Sequence, residues 1–215
     1  MTTELSFGER DEAGTYDVGL PKRYLSSDGT CAIEPILRPP ARLPSRTSPK
    51  AAAIAALSVI RRCANDHPST GGAAINFGGD NNLAILVYAF VPHVQCYGRV
   101  GGPGIRESCA GILDRMNASK TPTAFGPLPQ GDAVVQLPYT IRADSRCAMT
   151  ISTPEDQVDH SSWYTFWAAA TAINAMCVGA GKAGLWANIG SQEHLFIVLR
   201  DESLDDASRP SGVLE

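Results

Sequence analysis

The sequence predicts an α+β fold made of two tandem, pseudo-symmetric repeats. Each repeat runs strand, strand, helix, strand, strand, and folds as an α/β sandwich. Three observations carry the prediction. The first is internal self-similarity, which decides the architecture wherever it occurs. Residues 71–87 read GGAAINFGGDNNLAILV and residues 183–199 read AGLWANIGSQEHLFIVL. Aligned without a gap, Gly72 meets Gly184, Asn76 meets Asn188, Gly78 meets Gly190, Leu83 meets Leu195 and Ile85 meets Ile197, each 112 positions apart. The second is an Ala-rich helical pattern before each copy, ending at Cys63 and at Cys177. The third is a short apolar run that opens on a cysteine before each helix, CAIEPIL from Cys31 and CAMTIST from Cys147. Leu-Pro and Phe-Gly pairs precede each run, at Leu20-Pro21 and Phe7-Gly8, then at Leu137-Pro138 and Phe125-Gly126. These landmarks divide the chain into a first repeat (1–90), a connector with a short helix (91–124), a second repeat (125–200) and a flexible tail (201–215). A helix with one apolar face must cover a sheet, so each repeat is expected to stack one on the other.

Within the first repeat, 16–20 reads as a strand that Pro21 ends, and 31–37 as a strand. The Pro- and Arg-rich stretch 38–48 is a loop. Ser48 is placed to cap a helix with Pro49 at its first position, running to Arg62. Ala52, Ile54, Ala55, Leu57 and Ile60 form the face expected to pack on a sheet. A strand over 73–77, a Gly/Asn hairpin turn over 78–82 and a continuous apolar strand over 83–91 follow. Such a run predicts burial on both faces. The connector carries GRVGGPG, which lacks the Lys-Ser/Thr of a phosphate loop and reads as a turning loop, and then a helix over 105–117. The second repeat gives strands over 133–141 and 147–152, a loop over 153–160 and a helix over 161–176. Strands over 185–189 and 195–200 flank a turn at 191–194.

With 18 Lys and Arg against 22 Asp and Glu, the net charge is −4. That balance argues against nucleic acid as a partner, which would call for a basic stripe. No apolar run reaches the length of a membrane span. Met1 is followed by a polar, acidic stretch, so a signal peptide, if the protein has one, lies outside this sequence. The six cysteines, Cys31, Cys63, Cys96, Cys109, Cys147 and Cys177, include no CxxC pair. In each repeat the helix runs back toward the start of the first apolar strand, which predicts Cys31–Cys63 and Cys147–Cys177 disulfides and leaves Cys96–Cys109 for the connector. Disulfides place the protein in an oxidising, extracellular compartment. Asn117-Ala118-Ser119 is an N-glycosylation acceptor triplet.

No HExxH, GxSxG, Walker or EF-hand pattern is present. His67, His93, His160 and His194 lie at no metal-ligand spacing from one another or from a cysteine, so neither a metal nor a cofactor is expected. The candidates for acid–base chemistry are Asp159, His160, Glu193 and His194, in two acidic, His-bearing turns of the second repeat. The competing reading makes both turns plain solvated loops. Trp163, Tyr164, Phe166 and Trp167 make a helix aromatic at i, i+3 and i+4, which could be a sugar-stacking platform, but Trp163, Phe166 and Trp167 are expected to be core. Trp186, in a short strand beside a turn, is the better candidate for a ligand-binding ring. Asn76 and Asn188, recurring inside strands, point to a structural hydrogen bond.

The segments Cys31 to Cys63 with 71–87, and Cys147 to Cys177 with 183–199, resemble the α/β-sandwich units of virus-encoded fungal killer toxins and of fungal secreted cysteine-rich effectors. The resemblance implies a secreted fungal protein acting on another organism or on a cell wall, and carries over no catalytic residue. The expected function is therefore a secreted, disulfide-stabilised protein that binds an extracellular partner: a protein, a carbohydrate or a small molecule. The alternatives are a hydrolase or cyclase-like tailoring enzyme with its site in the cleft between the repeats, and a cytosolic scaffold with reduced thiols.

Overall fold

The computed structural model describes residues 3–10, 15–26, 28–40, 42–64, 71–99, 101–102, 104–127, 134–144, 146–154 and 157–202, without the side chains of 63 and 64. The chain forms two compact units, Met1–Val91 and the remainder from Pro92.

The first unit contains β1 (Leu5–Glu9), β2 (Val18–Leu20), β3 (Tyr24–Leu25), β4 (Cys31–Leu37), β5 (Ser45–Thr47), α1 (Pro49–Val59), β6 (Gly72–Phe77) and β7 (Leu83–Ala89). Two sheets result, ordered β2-β1-β5 and β3-β4-β7-β6. β1 runs parallel to β2 and antiparallel to β5, with Phe7 opposite both Val18 and Ser45. Helix α1 starts where the sequence asks it to. The Ser48 side chain accepts from the Ala51 amide at 3.1 Å, and Pro49 fills the first turn, satisfying one of the orphan donors at a helix start. A π-helical turn, Ile60–Ala64, continues it. Leu83, Ala84 and Ile85 are buried in succession, as a strand covered on both faces requires.

The second unit contains β8 (Val94–Tyr97), α2 (Ile105–Arg115), β9 (Pro122–Pro127), β10 (Val135–Leu137), β11 (Tyr139–Arg142), β12 (Cys147–Ser152), β13 (Asp159–Ser162), α3 (Trp163–Met176), β14 (Ala183–Ile189) and β15 (Leu195–Asp201). Its sheets are ordered β10-β9-β13 and β11-β12-β15-β14-β8. β9 is parallel to β10 and antiparallel to β13, with Phe125 opposite both Val135 and Asp159. Ser162 caps α3 by accepting from the Thr165 amide at 3.2 Å. The core joins α2, α3 and the large sheet through Ile112, Phe125, Met149, Phe166, Trp167 and Ile197, all buried. Trp163, Phe166 and Phe125 meet edge to face at centroid distances of 5.0 to 6.4 Å, the preferred aromatic geometry. Phe166 and Trp167 are core, as their spacing predicts, and Trp163 is half-buried against that core.

Several expectations need correction. Each unit has more strands than the predicted four, because β1, β5, β9 and β13, three to six residues long, are too short to give a clear periodic signal. The connector is no separate segment: β8 extends the large sheet of the second unit and α2 packs into its core. The last strand reaches Asp201, into the predicted tail, and residues 203–215 lie outside the described residues. Asn76 and Asn188 recur for backbone reasons. Both adopt left-handed φ, 59° and 58°, where the β6–β7 and β14–β15 registers shift, and Asn accepts that conformation better than most residues.

The disulfides are also different. Cys96 bonds Cys177 and Cys109 bonds Cys147, replacing the predicted Cys147–Cys177 and Cys96–Cys109 pairs. Cys31 is a free thiol, so the predicted Cys31–Cys63 bond is not formed, and the Cys63 side chain lies outside the described residues. The reason is packing. Cys96 on β8 stands opposite Gly184 on β14. A Cβ at Gly184 would lie 2.4 Å from Ile173 Cγ2 and 2.9 Å from Cys177 Sγ. The bare glycine lets the end of α3 press onto β14, and the sulfur then reaches across it to the neighbouring strand. Cys147, at the start of β12, meets α2 instead.

Candidate functional site

Of the four acid–base candidates, Asp159 is the organising one. It opens β13, opposite Phe125, and is fully buried. A buried carboxylate must find donors, and the β14–β15 turn supplies them. Its Oδ1 accepts from the amides of His160 (2.6 Å) and Gln192 (3.1 Å) and from Ser191 Oγ (2.9 Å). Its Oδ2 accepts from the His194 amide at 3.1 Å. The Ser191 amide also donates to the His160 carbonyl at 2.9 Å. Gly190, at φ 104°, is what permits the approach, since a Cβ there would sit 2.2 Å from Asp159 Oδ2. Burial pushes the Asp159 carboxyl up, but the His194, His160, Ser191 and Gln192 donors outweigh it and hold the group below its ordinary value. A carboxylate stabilised in this way gives up basicity. The geometry makes it an anchor for the turn.

The first unit builds the same bracket with the partners exchanged. Ser45 stands opposite Phe7 as Asp159 stands opposite Phe125. The Ser45 hydroxyl donates to Asp80 on the β6–β7 turn, and the Asn82 amide donates to the same carboxylate at 3.2 Å. The Gly79 amide donates to the Arg46 carbonyl at 3.0 Å, and Gly78 takes φ 91°. The carboxylate is the exposed turn residue Asp80 in one unit and the buried strand residue Asp159 in the other.

The structure therefore brings Asp159 together with the backbone amides of His160 and His194. The His160 side chain is exposed on β13. His194 is half-buried, and its Nδ1 is buried without a hydrogen-bond partner among the described residues. Glu193 is exposed and adopts φ 62° in the turn, the place that Asn81, at φ 58°, holds in the first unit. Its conformation marks it as a turn residue. Glu193→Asn is expected to raise stability by about 0.5–1 kcal/mol by relieving left-handed strain, read as a higher midpoint in chemical denaturation; an unchanged or lower midpoint contradicts this assignment.

Trp186 is half-buried between Ile197 on β15 and Val94 on β8. Its ring meets the exposed His93 ring edge-on at 5.8 Å. Asn117 is exposed just beyond α2. Its Oδ1 accepts from the Ser119 amide at 2.9 Å. Among the described residues, no three His, Cys, Asp or Glu side chains group to hold a metal ion, and no helix is long and apolar enough to cross a membrane.

Sequence reasoning missed a buried ion pair. Arg23 Nη2 lies 3.1 Å from Glu34 Oε2, which also accepts from Tyr88 Oη at 2.9 Å, and the guanidinium sits 5.3 Å from the Phe90 ring centroid. The only hint in the sequence was a carboxylate, Glu34, inside an apolar strand. Compared with protein-family models, curated proteins and solved structures, the chain matches none.

Proposed function

We propose that the chain is a secreted, disulfide-stabilised protein, built from two copies of one α+β module, that binds an extracellular partner in the manner of the effectors and killer toxins it resembles. The observation that carries the reading is the pair of disulfides, Cys96–Cys177 and Cys109–Cys147, with buried sulfurs at Cys109, Cys147 and Cys177. Two structural disulfides in one small unit suit an oxidising compartment. The Asp159 carboxylate is committed to holding a turn, which favours a binding role over acid–base catalysis at this place. Duplication is supported by the parallel architecture of the units. Each has a small sheet ordered parallel–antiparallel about a Phe, a Ser-capped helix, and a hairpin bulged at an Asn and bracketed to the small sheet.

Peptide mapping of the unreduced protein tests the covalent claim. Linked peptides joining Cys96 to Cys177 and Cys109 to Cys147 are expected, with Cys31 open to alkylation before reduction. Six cysteines that all alkylate without reduction would defeat the extracellular reading.

A further inference from the structure

Of the five residues expected on the sheet-packing face of α1, Ala52, Ala55 and Ile60 pack against the core, while Ile54 and Leu57 face outward. Ile54 and Leu57 are 58% and 49% exposed, which is unusual for large aliphatics flanked by buried Ala56 and Val59. Counted from the capping serines, α3 has Ala168 and Thr171 at the same two positions. A small residue or a hydroxyl therefore suffices there for a helix on a sheet of this kind. The charges around the face are also specific to the first unit. Residues 35–65 hold Arg38, Arg42, Arg46, Lys50, Arg61 and Arg62 and no Asp or Glu, in a chain of net charge −4. Residues 160–181, around α3, hold no charged Lys, Arg, Asp or Glu at all. Lys50, Ile54 and Leu57 follow one stripe at i, i+4 and i+7, and Arg61 and Arg62 lie just past the C-terminal end of the helix, all three cations exposed. Among the described residues, no carboxylate pairs with Lys50, Arg61 or Arg62.

We propose that this face of α1 docks on an anionic lipid surface. Two exposed aliphatic side chains, with exposed cations at both ends of the helix that no carboxylate among the described residues pairs, match a helix that lies in a membrane interface with its apolar side chains inserted and its cations among the headgroups. A protein partner is less well served: recognition hot spots centre on aromatic and Arg anchors seated in desolvated pockets, whereas the apolar positions of this face, Ile54 and Leu57, are aliphatic and exposed. The proposal names the partner class for the binding role given above and rests on that role only for where the protein would meet such a surface.

Sedimentation of the full chain with phosphatidylcholine vesicles, with and without phosphatidylserine, tests it. Binding is expected only to the anionic vesicles, falling with added salt as screened charges require. Each cation lost should weaken partitioning about fivefold, so Lys50→Gln/Arg61→Gln should bind roughly 25-fold more weakly. Ile54→Ser/Leu57→Ser should also lose binding while keeping the wild-type circular dichroism and denaturation midpoint, because both positions are exposed. Equal binding to both vesicle types, no binding to either, or binding that survives both double variants would overturn the proposal. Capture of an acidic protein without vesicle binding would overturn it in favour of a protein partner. These outcomes are independent of the disulfide map, so a failure here leaves the extracellular reading standing, and a reduced protein that binds vesicles would separate the two the other way.

Discussion

Asp159→Ala should destabilise the second unit by about 4 kcal/mol. The wild-type carboxylate satisfies three backbone amides and one hydroxyl inside the fold. Hydrogen bonds to a charged group contribute more than neutral ones, and buried donors left without a partner each cost about 1–3 kcal/mol. The turn 190–194 would loosen first, since its amides lose their acceptor, and hydrogen exchange at Gln192 and His194 should accelerate most. The pH dependence has a definite sign. The carboxyl lies below its ordinary value of 3.8 in the folded state, so its stabilisation is fully present above pH about 4 and is lost as pH falls through the depressed value. Asp159→Asn should remove that part of the acid sensitivity while lowering stability at neutral pH. The first unit suggests the rescue. There the strand carries Ser45 and the turn carries Asp80, and Gln192 stands where Asp80 does. Asp159→Ser with Gln192→Asp should recover roughly half of the loss, a coupling expected of residues in one hydrogen-bonded network. If the double variant is no more stable than Asp159→Ser alone, the two brackets are not equivalent. Should Asp159→Ala leave the midpoint within about 0.5 kcal/mol of wild type, the carboxylate is no anchor.

The sequence made much of the fold legible, for reasons that can be located. Helix α1 announced itself through Ser48 and Pro49, and the cap geometry is present there; α3 announced itself through the apolar run within 161–176, and its cap falls on Ser162, inside the expected range. The hairpins β6–β7 and β14–β15 were legible in Gly78 and Gly190, which hold positive φ. β4 and β12 match the predicted runs 31–37 and 147–152. What escaped was whatever depends on distant partners. β13 reads DHSS, with no apolar alternation, and exists because Asp159 is paid in hydrogen bonds by a turn some thirty residues later. The candidate site was half visible: two acidic His-bearing turns do meet, but through one carboxylate and backbone amides, so the chemistry suggested by four titratable side chains becomes a bracket. Both Ala-rich helical patterns run to a cysteine, Cys63 and Cys177, yet only the second unit has β8 beside the equivalent strand. A cysteine's partner is decided by which strand lies next to it, and the repeat alone cannot say that.

That difference makes the Cys96–Cys177 bond the second place where a substitution should act strongly. The bond closes a sequence separation of 81 residues, against 38 for Cys109–Cys147. In the chain-entropy picture those loops contribute about 4.5 and about 3.9 kcal/mol, through restriction of the unfolded chain. Cys96→Ala/Cys177→Ala should therefore lower stability by roughly 4 kcal/mol, equivalent to about 15 °C in Tm for a unit of this size. The unfolded state should also expand, so the denaturant slope should rise. Cys31→Ala is the control, because a free, half-buried thiol removes no loop, and its cost should stay near 1 kcal/mol. The two units should then respond differently to reductant. The second should lose stability in proportion to both bonds, and the first, with no described disulfide, should keep its midpoint. Since Gly184 makes the approach of Cys177 possible, Gly184→Ala should mimic part of the loss even with the bond formed, by forcing Ile173 and Cys177 off β14. A wild-type chain whose second unit unfolds at the same denaturant concentration with and without reductant would show that the sulfurs carry no stability, and the case for an oxidising compartment would lose its physical basis.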